Sequence, residues 1–344
     1  MDKKHNFPRS IKIKIIRPVK KFDDDVEILV EIKRNLNIQL NWKKNVELSE
    51  WERIESYSKF KVTKLNLSHL KMTGKIPKEV GQLTNLQYLN FSCNKFTGEI
   101  PKEVGQLTNL QNLNFSDNKL TGKIPKEIGK LVNLEYVGLT RNKLTGEIPE
   151  ELGNCINLKR LFISNNNLVG KISKVIEKLT DLNHLALSNN KLTGMIPEEI
   201  FKFTNLVMLS LSNNKLMGKI SKNIGTLTNL NYLYLNNNIL SGEIPEEIGK
   251  LTKLHSLFMS SNNFSGKIPP KIYNLVNLEQ LSLHHNKLTG EISKEIGKLS
   301  KMRRLYLNDN RLTNNIPEEI SKLDKLNTFK YENNKFTNLP VESL

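Results

Sequence analysis

The sequence predicts an α/β fold. It is a right-handed solenoid, a horseshoe or superhelix, with a concave parallel β-sheet and a convex face of 3₁₀ turns, short helix or loop. Three observations carry this. A period of 24 residues runs from Leu65 to Phe329 without insertion or deletion. Within each period, apolar and polar residues alternate over a few positions, which is a strand pattern. An asparagine recurs five residues after each strand leucine, from Asn94 to Asn334. One such unit cannot bury its own apolar side, so stacking is what stabilises it.

Residues 1–60 lack the period and read as an N-terminal helical cap. Ile11 to Ile16 alternate with lysine and suit a strand. Asp23, Asp24 and Asp25 then precede an apolar stripe of Val26, Leu29, Ile32 and Leu36. Acids at the start and a basic pair at the end favour a helix there. Trp42, Trp51 and Ile54 are expected to pack over the first turn.

Residues 61–340 hold twelve copies of LxLSxNxLTGxIPxxIGxLTNLxx, and 341–344 form a tail. Side chains at 89 and 91 are expected to point inward, and those at 88, 90 and 92 outward. A second apolar column, including Phe96, Leu120 and Phe264, lies two residues beyond each asparagine. The asparagine column is Asn94, Asn118, Asn142, Asn166, Asn190, Asn214, Asn238, Asn262, Asn286, Asn310 and Asn334. An amide donates and accepts at once, so each asparagine can bond the backbone of its own turn and the next. Leu70 breaks the column in the first copy. The glycine of TGxIP implies a backbone conformation costly for other residues, and Asn314 replaces it in the eleventh copy. Proline in the same tract gives way to Ser173, Ser221 and Ser293. The IPxxIG tract is too short for a long helix, so a 3₁₀ turn is expected. Leu339, Pro340, Val341 and Leu344 form a thin C-terminal closure.

These copies resemble the plant-receptor-type leucine-rich repeats, whose 24-residue unit carries L(T/S)GxIP. The resemblance covers Leu65 to about Leu339. The stretch before it, with its helix, the Asn41–Trp42 pair and the run into KVTKLNLS, resembles that family's cap. The cap of the family has a cysteine two residues before the second tryptophan and another five after it. Ser49 and Ser56 stand there, so the resemblance implies an intracellular, stand-alone version without that disulfide. Lysine and asparagine are abundant, 43 and 45 copies, and with these repeats they suggest a large DNA virus or a protist.

Composition restricts function. The formal net charge is +17, yet only 9 of the 52 basic residues are arginine. Lysine is interleaved with glutamate along the chain, so no dense basic patch is expected, and neither specific nucleic acid nor membrane is expected as a partner. No stretch is apolar enough to span a bilayer, and the first residues lack the apolar core of a secretory signal. A cytoplasmic or other intracellular, unsecreted protein is expected. Cys93 and Cys155 lie too far apart to bridge, and Cys155 reads as a replacement of a polar residue. His255, His284 and His285 come close on the concave edge but read as chance surface histidines. No metal, cofactor or catalytic constellation is expected, so the chain reads as no enzyme.

The informative residues are those between the buried columns. Exposed aromatics gather on the concave face with arginine beside them, the residue types most frequent at binding hot spots. The expected partner-binding residues are Tyr136, Arg160, Phe162, Tyr232, Tyr234, Phe258, Arg303, Arg304 and Tyr306. The expected function is a protein–protein interaction module whose partner is a protein, with acidic partners favoured by the net charge. Two alternatives are an inhibitor of a secreted hydrolase, like the plant inhibitors of pectin-degrading enzymes, and a self-associating structural scaffold.

Overall fold

In the structure, a computed structural model, residues 25–36, 53–58 and 61–337 are described. Helix α1 spans Asp25–Leu36, acidic at its start and basic in its last turn. It buries Ile28, Leu29, Ile32 and Leu36 against the first turns of the solenoid. Ile28 takes the place expected of Val26, which is only partly buried. Asp25 is buried as well, and its Oδ2 accepts from the Val62 N–H at 2.6 Å. That bond ties the helix start to the first strand of the repeats. Strand β1 (Ile54–Ser58) pairs antiparallel with β2 (Lys61–Asn66). The expected strand at 11–16, both tryptophans and the C-terminal closure from Leu339 lie outside the described residues.

From β2 onward each turn adds one parallel strand, three residues long, to an inner sheet of 13 strands among the described residues. Register is strict: Leu65 faces Leu89, Leu89 faces Leu113, and the pattern continues to Phe329. The strand leucines are essentially inaccessible, as are Phe91, Phe96 and Phe115. Those three rings pack with centroids 5.6–5.7 Å apart.

The asparagine ladder is built as its chemistry demands. Asn94 Nδ2 donates to the Leu67 carbonyl one turn back at 2.7 Å and to Phe91 in its own turn at 3.0 Å. Its Oδ1 accepts from the N–H groups of Leu70 and Met72, at 3.1 and 3.0 Å. The residue just before each ladder asparagine is left-handed, with φ of 55° at Cys93 and 56° at Asp117.

Next the chain makes a second, lateral parallel sheet, unforeseen from the repeat pattern. It comprises three strands from Thr73–Lys75 to Lys119–Thr121 and seven from Thr193–Met195 to Lys335–Phe336. Isolated bridges and backbone bonds such as Val169 N–H to Gly146 O (2.9 Å) carry the pairing between them. The TGxIP glycine here has positive φ, 75° at Gly98, and Asn314 keeps it at 63°.

The convex side consists of 3₁₀ segments, Lys78–Gln82 through Glu318–Lys322. Proline usually precedes them and presets φ. Where serine replaces it, a cap bond substitutes: Ser221 and Ser293 accept from the N–H groups of Asn223 and Glu295. Glycine inside these segments lets successive turns touch. Phe201 and Tyr273 replace it, both buried, and the segment of the following turn packs less closely there. Cys155 corrects the sequence expectation. It occupies the inward column of Leu131 and Leu179 rather than a polar place, and it is fully buried. Burial pushes its thiol up to about 12.

Candidate partner-binding face

Short side chains of the inner strands sink between their neighbours, and long ones protrude. Asn90, Ser256 and Ser282 are buried, at 8%, 5% and 3% exposure. This corrects the expectation that positions 88, 90 and 92 all face solvent. Strands about 4.8 Å apart cover anything small. Asn90 also folds back, its Oδ1 accepting from the Ser92 N–H at 2.9 Å.

The aromatic and arginine residues form three clusters on this face. Tyr136 and Phe162 meet at 5.7 Å, with the Arg160 guanidinium 5.5 Å over the Tyr136 ring. A cation over a tyrosine face is attracted by the ring quadrupole. His184 closes this cluster, edge-on to Phe162 at 6.0 Å. A polar groove of about 290 Å³ continues from it, lined by Glu55, Lys64, Tyr88 and Glu135 among others.

The second cluster is Tyr232, Tyr234 and Phe258. Tyr232 stacks on Tyr234 at 6.2 Å, and Tyr234 meets Phe258 edge-on at 5.2 Å. Tyr234 and Phe258 are register partners. His255 lies against Tyr232 at 6.2 Å, and its buried Nδ1 has no hydrogen-bond partner among the described residues. Ala186 and Ser210, on two intervening strands, separate Phe162 from Tyr234 by three strand spacings or about 14 Å.

The third cluster is Tyr306 with His284, whose rings are 5.8 Å apart. Ser282 sits between Phe258 and Tyr306 and bonds His284 Nδ1 at 3.0 Å. Arg304 is exposed in register beside Gln280. Arg303 turns aside and pairs with Glu279 at 3.3 Å.

The rings protrude less than their columns imply. Tyr232 is 38% exposed; Tyr136, Phe162, Tyr234, Phe258 and Tyr306 are half-buried against each other. Burial raises the Tyr136 and Tyr234 phenols, so both remain neutral hydroxyls. Burial lowers His184, and the nearby Arg160 charge lowers it further. His284 is lowered in the same way, first by burial and then by His285.

The sequence reading placed His255, His284 and His285 on the concave edge as chance surface histidines and missed that His184, His255 and His284 pack against the aromatic rings. A signal was present: His184 occupies a strand position beside Phe162, and His255 immediately precedes the strand after Tyr232. Among the described residues, no three His, Cys, Asp or Glu side chains are grouped to hold a metal.

The family described as leucine-rich repeat region matches residues 38–173 and 209–313. A second, described as leucine rich repeat, matches 156–216. No curated protein matches the chain. Among solved structures, PEPR1–AtPEP1 is 32% identical with a TM-score of 0.78, over 91% of this chain and 48% of that one. The chain thus spans about half the length of that structure. The Arabidopsis receptor kinase HAESA, in complex with the peptide hormone IDA and the co-receptor SERK1, is 27% identical with a TM-score of 0.69, over 91% and 66%. A plant ice-binding protein is 27% identical with a TM-score of 0.68, over 92% and 96%.

Proposed function

The chain belongs to the leucine-rich repeat family, and from that membership we propose that it is a binding module taking a protein or peptide partner on its concave face. The observation that carries this is the cluster of Tyr232, Tyr234 and Phe258, packed ring to ring on neighbouring strands with Tyr232 exposed. Amphipathic rings held rigidly against one another suit a hot spot, because little side-chain freedom is lost on binding. The similar HAESA structure holds a peptide hormone, which supports a peptide-sized partner.

We propose separately that the chain works in a reducing, intracellular compartment. Cys93 and Cys155 are both free, and serine stands at 49 and 56 where the related cap carries its cysteines.

The test is affinity capture with the immobilised chain and with its Tyr234→Glu/Phe258→Glu variant. Loss of the captured partner, with the circular dichroism spectrum and melting temperature kept, supports the concave face. Equal capture by both overturns it. An inhibitor would use the same face, and assay against a pectin-degrading hydrolase separates that reading.

A further inference from the structure

The lateral sheet sorts charge that is mixed along the sequence. In each turn, the first, third and fifth residues after the ladder position point outward, as Lys95, Thr97 and Glu99 do. Nine of the twelve first positions, from Lys71 to Lys335, are basic, and only Arg311 among them is not lysine. The middle positions are mostly threonine or serine. The last positions alternate Lys75, Glu99, Lys123, Glu147 and so on. The face therefore carries fourteen basic and four acidic side chains. None of its lysines joins an ion pair among the described residues. The even spread of charge expected from the sequence is thus replaced by a basic face.

An apolar patch interrupts this face at its middle. Met195 is in register with Met217, and Met217 with Ile239, on adjacent strands. They are 68%, 48% and 48% exposed, and Val169, in the turn before Met195, adds 40%. Four of the eight exposed large apolar residues described thus lie on this one face within four consecutive turns. Lys171, Lys191, Lys215 and Lys219 flank it, against Glu147, packed beside Val169 and Gly170, and Glu243.

We propose that this face docks on an anionic phospholipid surface, with Met195, Met217 and Ile239 entering the headgroup region and the lysines at phosphate level. Apolar side chains ringed by cations are what an anionic membrane interface rewards, and neither signal alone gives firm binding. Nucleic acid fits less well. The face has no aromatic ring to stack a base and one arginine, and thioethers offer phosphate nothing. Lysines act as independent point charges, which suits a diffuse charged surface better than paired recognition. The site lies apart from the concave clusters, so it stands or falls independently of them.

The experiment is co-sedimentation of the full chain with phosphatidylcholine vesicles, with and without phosphatidylserine. Binding is expected only to the phosphatidylserine vesicles, weakening as salt is raised. Met217→Ser/Ile239→Ser and Lys191→Gln/Lys215→Gln should each weaken it by about ten-fold or more. All four side chains are exposed, and unchanged melting temperatures verify folding. Absent binding, equal binding to both vesicles, or variants that bind like the parent overturn the proposal. So does a gel shift with a nucleic-acid duplex, lost in the lysine variant, when vesicles are not bound.

Discussion

Asn118 lies one solenoid turn beyond Phe91, yet its Nδ2 donates to the Phe91 carbonyl at 2.9 Å. The same amide caps its own turn at Phe115, and Oδ1 receives the Phe96 N–H at 3.0 Å. One side chain therefore closes one bend and joins it to the previous turn. Repeated along the solenoid, it explains why this column varies so little.

Replacing a buried member should be costly. Asn166 makes the same bonds, to Leu139 O at 2.9 Å, Ile163 O at 3.1 Å and from Leu144 N–H at 3.1 Å. Asn166→Ala leaves these groups unpaired and should lower unfolding free energy by about 2–4 kcal/mol. Asn334→Ala, in the more exposed last turn, should cost less. Urea titration of both variants checks the order.

The convex glycines divide by what lies beside them. A Cβ on Gly129 would come 2.2 Å from the Glu151 carbonyl oxygen of the next turn. A Cβ on Gly297 would meet Glu319 Cβ at 3.2 Å, a contact that small shifts relieve. Gly129→Ala should therefore destabilise by about 2–3 kcal/mol, and Gly297→Ala by less than about 1 kcal/mol. Thermal melts of the two variants give the comparison.

Much of this architecture was legible in the chain. The unbroken spacing of Leu65, Leu89 and Leu113 sets one strand per turn, and Asn94 and its repeats mark the bend. The left-handed residue before each ladder asparagine carried a signal that went unread: eight of the eleven are Asn, Asp or His, the types most tolerant of positive φ, with Cys93, Arg141 and Ser261 as exceptions. In those three, backbone bonding sets that conformation, whatever the side chain. The aromatic columns of the concave face were visible, but not how far Phe162 or Phe258 would sink against its neighbours. The lateral basic face was hidden for another reason. Lys95 and Glu103 are near in sequence, and the fold sends them to different faces.

Acid should loosen the concave face. Burial holds His184 and His284 below the usual histidine range. A lowered folded pKa favours the neutral ring, so its contribution is present above the unfolded value of about 6.5 and is lost as pH falls through the folded value. The melting temperature should drop from pH about 7.5 to about 5.5. The His184→Asn/His284→Asn variant should show a flatter dependence. An equal slope in both proteins would assign the acid loss to other groups.

The concave-face claim is tested most directly by photo-crosslinking. A photoreactive phenylalanine analogue in place of Tyr232 reports on the inner wall, and one in place of Val132, 47% exposed, reports on another surface. The captured partner should form an adduct at 232 and none at 132. An adduct at 132 with none at 232 would contradict the account.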